Sequence, residues 1–109
     1  MCGIVGVFSA NGLPQNVIDE PTFEQMLAHL HHRGPDERSY LTNSHAWLGH
    51  ARLSIIDIAS GQQPMSCENG QVYITFNGEI FNYLELREML QKKGEYFRTK
   101  SDTEVLLAR

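Results

Sequence analysis

The feature that most constrains this chain lies at its start. Gly3-Ile4-Val5-Gly6-Val7-Phe8 is an apolar run closed by the polar turn Ser9 to Gly12, which reads as a short buried strand. Cys2 therefore sits where a strand begins. The run is no signal peptide, because no basic residues precede it and Asn11-Gly12 arrives too soon. No stretch approaches the roughly 20 apolar residues of a membrane helix, so the expected setting is cytosolic, without membrane partners. With 109 residues, 41% of them hydrophobic, the chain suits one modest domain or part of a larger one.

Signals for helices and further strands follow in order. Phe23, Met26, Leu27 and Leu30 recur at helical spacing, and Thr22 with Gln25 resembles a capping box, so the pattern predicts a helix over Pro21 to His31. Arg33-Gly34-Pro35-Asp36 stops it. Strands are predicted near Ser39 to Thr42 and Ala46 to Arg52, antiparallel about the turn Asn43-Ser44. Leu53 to Ile58 is apolar but too short to assign. Gln71 to Phe76 alternates as a half-buried strand, and Asn77-Gly78 predicts a tight bend after it. Asn82 and Ser101 each suit a helix start, with Leu86, Met89 and Leu90 as the first helix's apolar stripe and Gly94 as its stop. The second helix, Asp102 to Arg109, is still apolar where the sequence ends, which reads as a truncation.

Charge and cysteine content narrow the function. A net charge of -4 with scattered Lys and Arg residues argues against a nucleic-acid partner. Two cysteines, Cys2 and Cys67, make no disulfide scaffold. The histidines His29, His31, His32, His45 and His50 match no paired zinc-ligand spacing, so no metal is expected. Cys2 has a sharper reading. Removing Met1 would leave one residue with both a thiol and a free α-amine, which titrates at roughly 7.7–8.0 in model peptides, near the value wanted of a proton shuttle at neutral pH. Composition alone also allows Cys2 to be an inert packing residue.

Met1-Cys2-Gly3-Ile4-Val5-Gly6 resembles the opening of the class II glutamine amidotransferases, which are N-terminal nucleophile hydrolases. The resemblance continues through His32-Arg33-Gly34-Pro35-Asp36, Gly49-His50-Ala51-Arg52-Leu53-Ser54-Ile55-Ile56-Asp57, Gln63-Pro64-Met65, Asn77-Gly78-Glu79-Ile80-Phe81-Asn82 and Ser101-Asp102-Thr103-Glu104. Its wording is closer to the asparagine synthetase branch than to branches serving sugar-phosphate or purine synthesis. The resemblance implies an α+β fold, the N-terminal part of a four-layer α/β/β/α sandwich, with residues 2–109 as a truncated amidotransferase domain. The rest of that domain and any synthetase domain would be absent.

Site roles come from the same resemblance. Cys2 would attack the side-chain amide of L-glutamine, and the Asn77 side chain and Gly78 N–H would form the oxyanion hole. Arg52 would grip the substrate carboxylate, backbone groups of Leu53, Ser54, Ile55 and Ile56 would line the pocket, and Glu79 and Asp102 would hold the α-ammonium. Taken singly, Asn77-Gly78 is an ordinary hairpin turn, Arg52 a surface strand residue and Asp102 a first-turn carboxylate. The Arg33 to Asp36 loop is expected to be structural. Ammonia would pass to a C-terminal synthetase domain using ATP and Mg2+, for which this sequence has no Walker-type phosphate loop. The expected whole is a cytoplasmic enzyme, with a homodimer among its expected assemblies. The other readings are an amidotransferase with a different acceptor and a non-catalytic assembly domain.

Overall fold

A computed structural model of the chain describes residues 2–13, 18–53 and 61–108. The first strand, β1 (Gly3–Phe8), pairs antiparallel with β3 (Ala46–Arg52), which pairs antiparallel with β2 (Glu37–Thr42), giving the sheet order β1-β3-β2. In register, Val5 faces Gly49 and Gly49 faces Tyr40, so these three share one side. The helix α1 (Glu20–Ala28) covers that side.

Phe23 is the centre of this packing and is fully buried, with edge-on ring contacts to Tyr40 at 5.6 Å and Trp47 at 5.4 Å. Burying such a ring stabilises the domain by roughly 1.5–3 kcal/mol. Gly49 makes room for it. A Cβ there would stand 2.9 Å from Val5 Cγ1 and 3.1 Å from Phe23 Cε1.

Asp19, not Thr22, caps α1. Its carboxylate accepts the Thr22 N–H at 2.8 Å, and Pro21 falls in the first turn, where a missing N–H costs no helical bond. Of the predicted Pro21 to His31, residues 21–28 are helical and 29–33 form a turn. The strand β1 is less buried than its sequence predicts: on the side facing α1, Gly3 is buried but Val5 and Val7 are only half-buried. Ile4 and Phe8 point away from α1 and are 47% and 74% exposed, because no described element covers them.

The second half is built from shorter pieces. Two-residue strands β4 (Met65–Ser66) and β5 (Tyr73–Ile74) pair antiparallel, so the strand predicted over Gln71 to Phe76 is realised only at its centre. A strand extends no further than its partner does. Two helices follow, α2 (Tyr83–Lys92) and α3 (Asp102–Leu107). Gly94, at φ 98, ends α2 in the left-handed conformation, with the Glu95 N–H returning to the Leu90 carbonyl. Asn82 sits at the N-cap without a side-chain bond, and α2 has no buried residue. Among the described residues, no helix is long and apolar enough to cross a membrane.

Ser101 caps α3 as expected, accepting the Thr103 N–H at 3.1 Å. Glu104 serves the loop before the helix. Its buried carboxylate turns to the preceding loop, accepting the N–H of Arg98 at 2.8 Å, the N–H of Thr99 at 2.7 Å and the Thr99 hydroxyl at 2.6 Å.

Candidate active site

The two halves meet at the end of the sheet that carries Cys2. A cavity of about 360 Å³ opens there, lined by Cys2, Arg52, Leu53, Asn77, Gly78, Glu79 and Asp102, with Gln63, Phe76 and Thr103 among the remaining wall residues. Five stretches separated in sequence converge on it. Every predicted site residue within the described regions belongs to this one wall. The expected contributions of Ser54, Ile55 and Ile56 lie outside the described residues.

Cys2 is placed by backbone contacts. Its sulfur accepts the Leu53 N–H at 3.2 Å and lies 3.6 Å from the Leu53 carbonyl, within reach of the weak S–H donor. Its carbonyl accepts the Arg33 Nε–H at 3.0 Å. The turn holding Arg33 is wedged against β3: a Cβ on Gly34 would lie 2.1 Å from the Ala51 oxygen and 2.5 Å from the Arg52 nitrogen. Only glycine permits that approach. Asp36 completes the contact by donating its N–H to the Arg52 carbonyl at 3.0 Å. The Arg33 to Asp36 loop therefore ties the cysteine-bearing end of β1 to the arginine-bearing end of β3, which gives its structural role a specific form.

Arg52 is buried at the wall, with Nη1 3.3 Å from a Glu37 carboxylate oxygen. That pairing offsets the cost of burying a guanidinium. His50, two residues back, is 1% exposed; its Nδ1 bonds the Thr75 hydroxyl at 2.8 Å, and its Nε2 has no partner among the described residues. Burial, reinforced by the charge of Arg52, lowers its pKa to about 4. It is neutral at physiological pH and ties β3 to the segment entering Asn77.

Asn77-Gly78 is a bend and not a tight hairpin turn. Gly78 is absent from the positive-φ glycines, and a Cβ on it would meet Phe76 Cζ at 2.7 Å. The glycine thus serves close approach of a ring to the backbone rather than an inverted turn. Asp102 faces the same segment: its Oδ2 accepts the Ile80 N–H at 3.0 Å. The carboxylate is a first-turn residue of α3 and a cavity wall at once.

Sequence reading gave no role to Gln63 or Thr103, which also line the wall and are bonded to each other. Gln63-Pro64-Met65 was legible as a family block, but nothing in one dimension says where its carboxamide points. Among the described residues, no three His, Cys, Asp or Glu side chains gather as a metal site.

A cysteine at a strand head, a backbone N–H on its sulfur and a cavity walled by arginine, asparagine, glycine and carboxylates suit attack on a small zwitterionic amide. The model of the glutamine amidotransferase domain matches residues 1–109, and the chain belongs to that family. Asparagine synthetase [glutamine-hydrolyzing] 1 of Bacillus subtilis (strain 168) is 52% identical over 108 residues, covering 99% of this chain and 17% of that protein. The asparagine synthetase [glutamine-hydrolyzing] 1 of Arabidopsis thaliana is 41% identical over 106 residues, covering 97% of this chain and 18% of that protein. The probable asparagine synthetase [glutamine-hydrolyzing] of Schizosaccharomyces pombe is 40% identical over 112 residues, covering 98% and 19%. The chain thus spans less than a fifth of the length of these relatives.

Proposed function

We propose that the chain is the glutaminase portion of a glutamine-dependent asparagine synthetase. The observation that carries this is the convergence of Cys2, Arg52, Asn77, Gly78, Glu79 and Asp102 on one cavity. After Met1 is removed, the Cys2 α-amine takes the thiol proton as sulfur bonds to the side-chain amide carbon of glutamine. The oxyanion rests on the Asn77 amide and the Gly78 N–H. The amine then passes the proton to the departing nitrogen, ammonia leaves and a thioester remains. Water attacks the thioester, the amine accepts its proton and returns it to sulfur, and glutamate departs. Arg52 holds the substrate carboxylate, and Glu79 and Asp102 hold the ammonium, placing one amide against one sulfur.

The released ammonia goes to a synthetase domain that amidates aspartate. ATP bound there with Mg2+ supplies activation of the acceptor carboxylate. Among the described residues no three His, Cys, Asp or Glu side chains gather to hold the Mg2+, and no step of the glutaminase passes through the pair. The finer architecture in this proposal is the four-layer α/β/β/α sandwich. Its support is the sheet face opposite α1, where Ile4 and Phe8 stand exposed while Ser39 and His50 bond Gln63 and Thr75 of the second half. A cytoplasmic setting and a homodimer of the full-length enzyme complete the reading.

The test is Cys2→Ala in the full-length protein. Glutamine-dependent ammonia release should vanish while synthesis driven by added ammonia persists, and intact mass of the wild type should show loss of Met1. Normal glutamine use by the variant would refute the assignment.

A further inference from the structure

We infer that Gln63 is a positioning residue that locks the oxyanion-hole segment to the helix start carrying Asp102; this rests on the glutaminase reading above. The segment needs such a device. Strand β5 ends at Ile74 and α2 begins at Tyr83, so residues 75–82 lie outside any ladder or helix. Two of its backbone donors, at Phe76 and Ile80, are taken by side chains from other parts of the chain.

Gln63 is 8% exposed, and both ends of its carboxamide are used. Its Oε1 accepts the Phe76 N–H at 2.6 Å, and its Nε2 donates to Thr103 Oγ1 at 3.1 Å. The orientation is forced, because a backbone N–H can only donate and must therefore meet the oxygen. Its own carbonyl accepts the Ser39 hydroxyl from β2. Phe76 immediately precedes Asn77, and Thr103 immediately follows Asp102. One carboxamide thus spans the neighbour of the oxyanion donors and the neighbour of the ammonium acceptor.

The Asp102 to Ile80 bond closes the other end of the same segment. Asn77, Gly78 and Glu79 lie between the two ties. Donors to a developing oxyanion act only if held before the charge appears, and small misplacements in such sites have large rate costs. Helix α3 has further anchors of its own, in the Ser101 cap and the Glu104 bonds to the preceding loop. Releasing Gln63 therefore frees the oxyanion side more than the ammonium side. The effect belongs in kcat and not mainly in KM.

The experiment measures glutaminase kinetics of the full-length protein per site titrated with a haloketone analogue of glutamine, which alkylates the nucleophilic thiol. Gln63→Leu keeps the volume and removes both carboxamide bonds. Its kcat per titrated site should fall roughly 10-fold or more, with KM for glutamine within about threefold of wild type. Thr103→Val should lower kcat in the same sense, and Thr103→Ser, which keeps the hydroxyl, should restore it. An unchanged kcat per site, a loss confined to KM, or identical rates for Thr103→Val and Thr103→Ser would overturn the assignment. If Gln63→Leu yields no titratable sites, the Thr103 pair decides. A wild type that hydrolyses no glutamine sinks the glutaminase reading as well; a competent wild type with an unaffected Gln63→Leu sinks this inference alone.

Discussion

The two halves of the chain hold their site residues by different means. In residues 2–53, Cys2 and Arg52 are placed by a three-stranded ladder and by close backbone approach at Gly34 and Gly49. In residues 61–108, Asn77, Gly78 and Glu79 lie in irregular chain tied down by the side chains of Gln63 and Asp102, while Glu104 holds the loop before α3. Cys2 and Arg52 thus rest mainly on strand pairing and backbone contacts, and Asn77, Gly78 and Glu79 on individual polar side chains. The first half should be intolerant of added volume, and the second of lost carboxamides and carboxylates.

The largest effect is expected where the steric argument is strongest. Gly34→Ala places a methyl against the backbone of Ala51 and Arg52, which has no flexible end to move aside. It should destabilise this region by about 4 kcal/mol or more. Peptide-resolved hydrogen exchange of the full-length protein should show β1 and β3 losing protection together, with Cys2 alkylation slowed. Wild-type protection would mean that the wedge is not what joins the two strand ends.

Glu104→Ala tests the opposite half. It leaves the N–H groups of Arg98 and Thr99 without their buried acceptor, a loss of about 3 kcal/mol. Exchange should rise in peptides covering residues 95–107 and remain nearly unchanged in β1 to β3. Equal loosening of both halves would show that they are not held by different means.

The smallest effect concerns the seam. His50 has its pKa lowered to about 4 in the folded state by burial and then by Arg52, against about 6.5 when unfolded. The unfolded chain therefore binds this proton first as pH falls. The stability contribution is complete above about pH 6.5 and is lost between there and about pH 4, at up to about 1.4 kcal/mol per pH unit. His50→Gln should flatten that part of the profile, read as the change in exchange protection of β3 between pH 7 and pH 5 relative to wild type. Parallel profiles would show that His50 is not buried neutral.

Legibility followed the same division. The bounds of β1 and β3 agree with those predicted, because the apolar run of β1 and the Asn43-Ser44 turn signal before β3 are local features. The start of α1 was misplaced: the spacing of Thr22 and Gln25 pointed to a cap at Thr22, whereas Asp19 caps the helix and Pro21 belongs to its first turn. The strand over Gln71 to Phe76 was overextended because a pattern cannot state the length of its partner. Ser101 marked the start of α3 correctly, but nothing local showed that the Glu104 carboxylate would bond the loop that folds back over it. The apolar stripe of Leu86, Met89 and Leu90 marked a helix correctly but did not show that α2 would bury no residue.

By itself the sequence determined the longer elements, their order and the residue types capable of amide chemistry, but not the two-residue strand β4, since propensity and turn chemistry are properties of neighbouring residues and so short a strand exists only through its partner. Tertiary structure alone decided that Gly34 must lack a side chain, that Arg33 reaches Cys2 and that Gln63 spans from Phe76 to Thr103. These contacts join residues 13 to 40 positions apart, and their geometry exists only once sheet, loops and short helix have packed together.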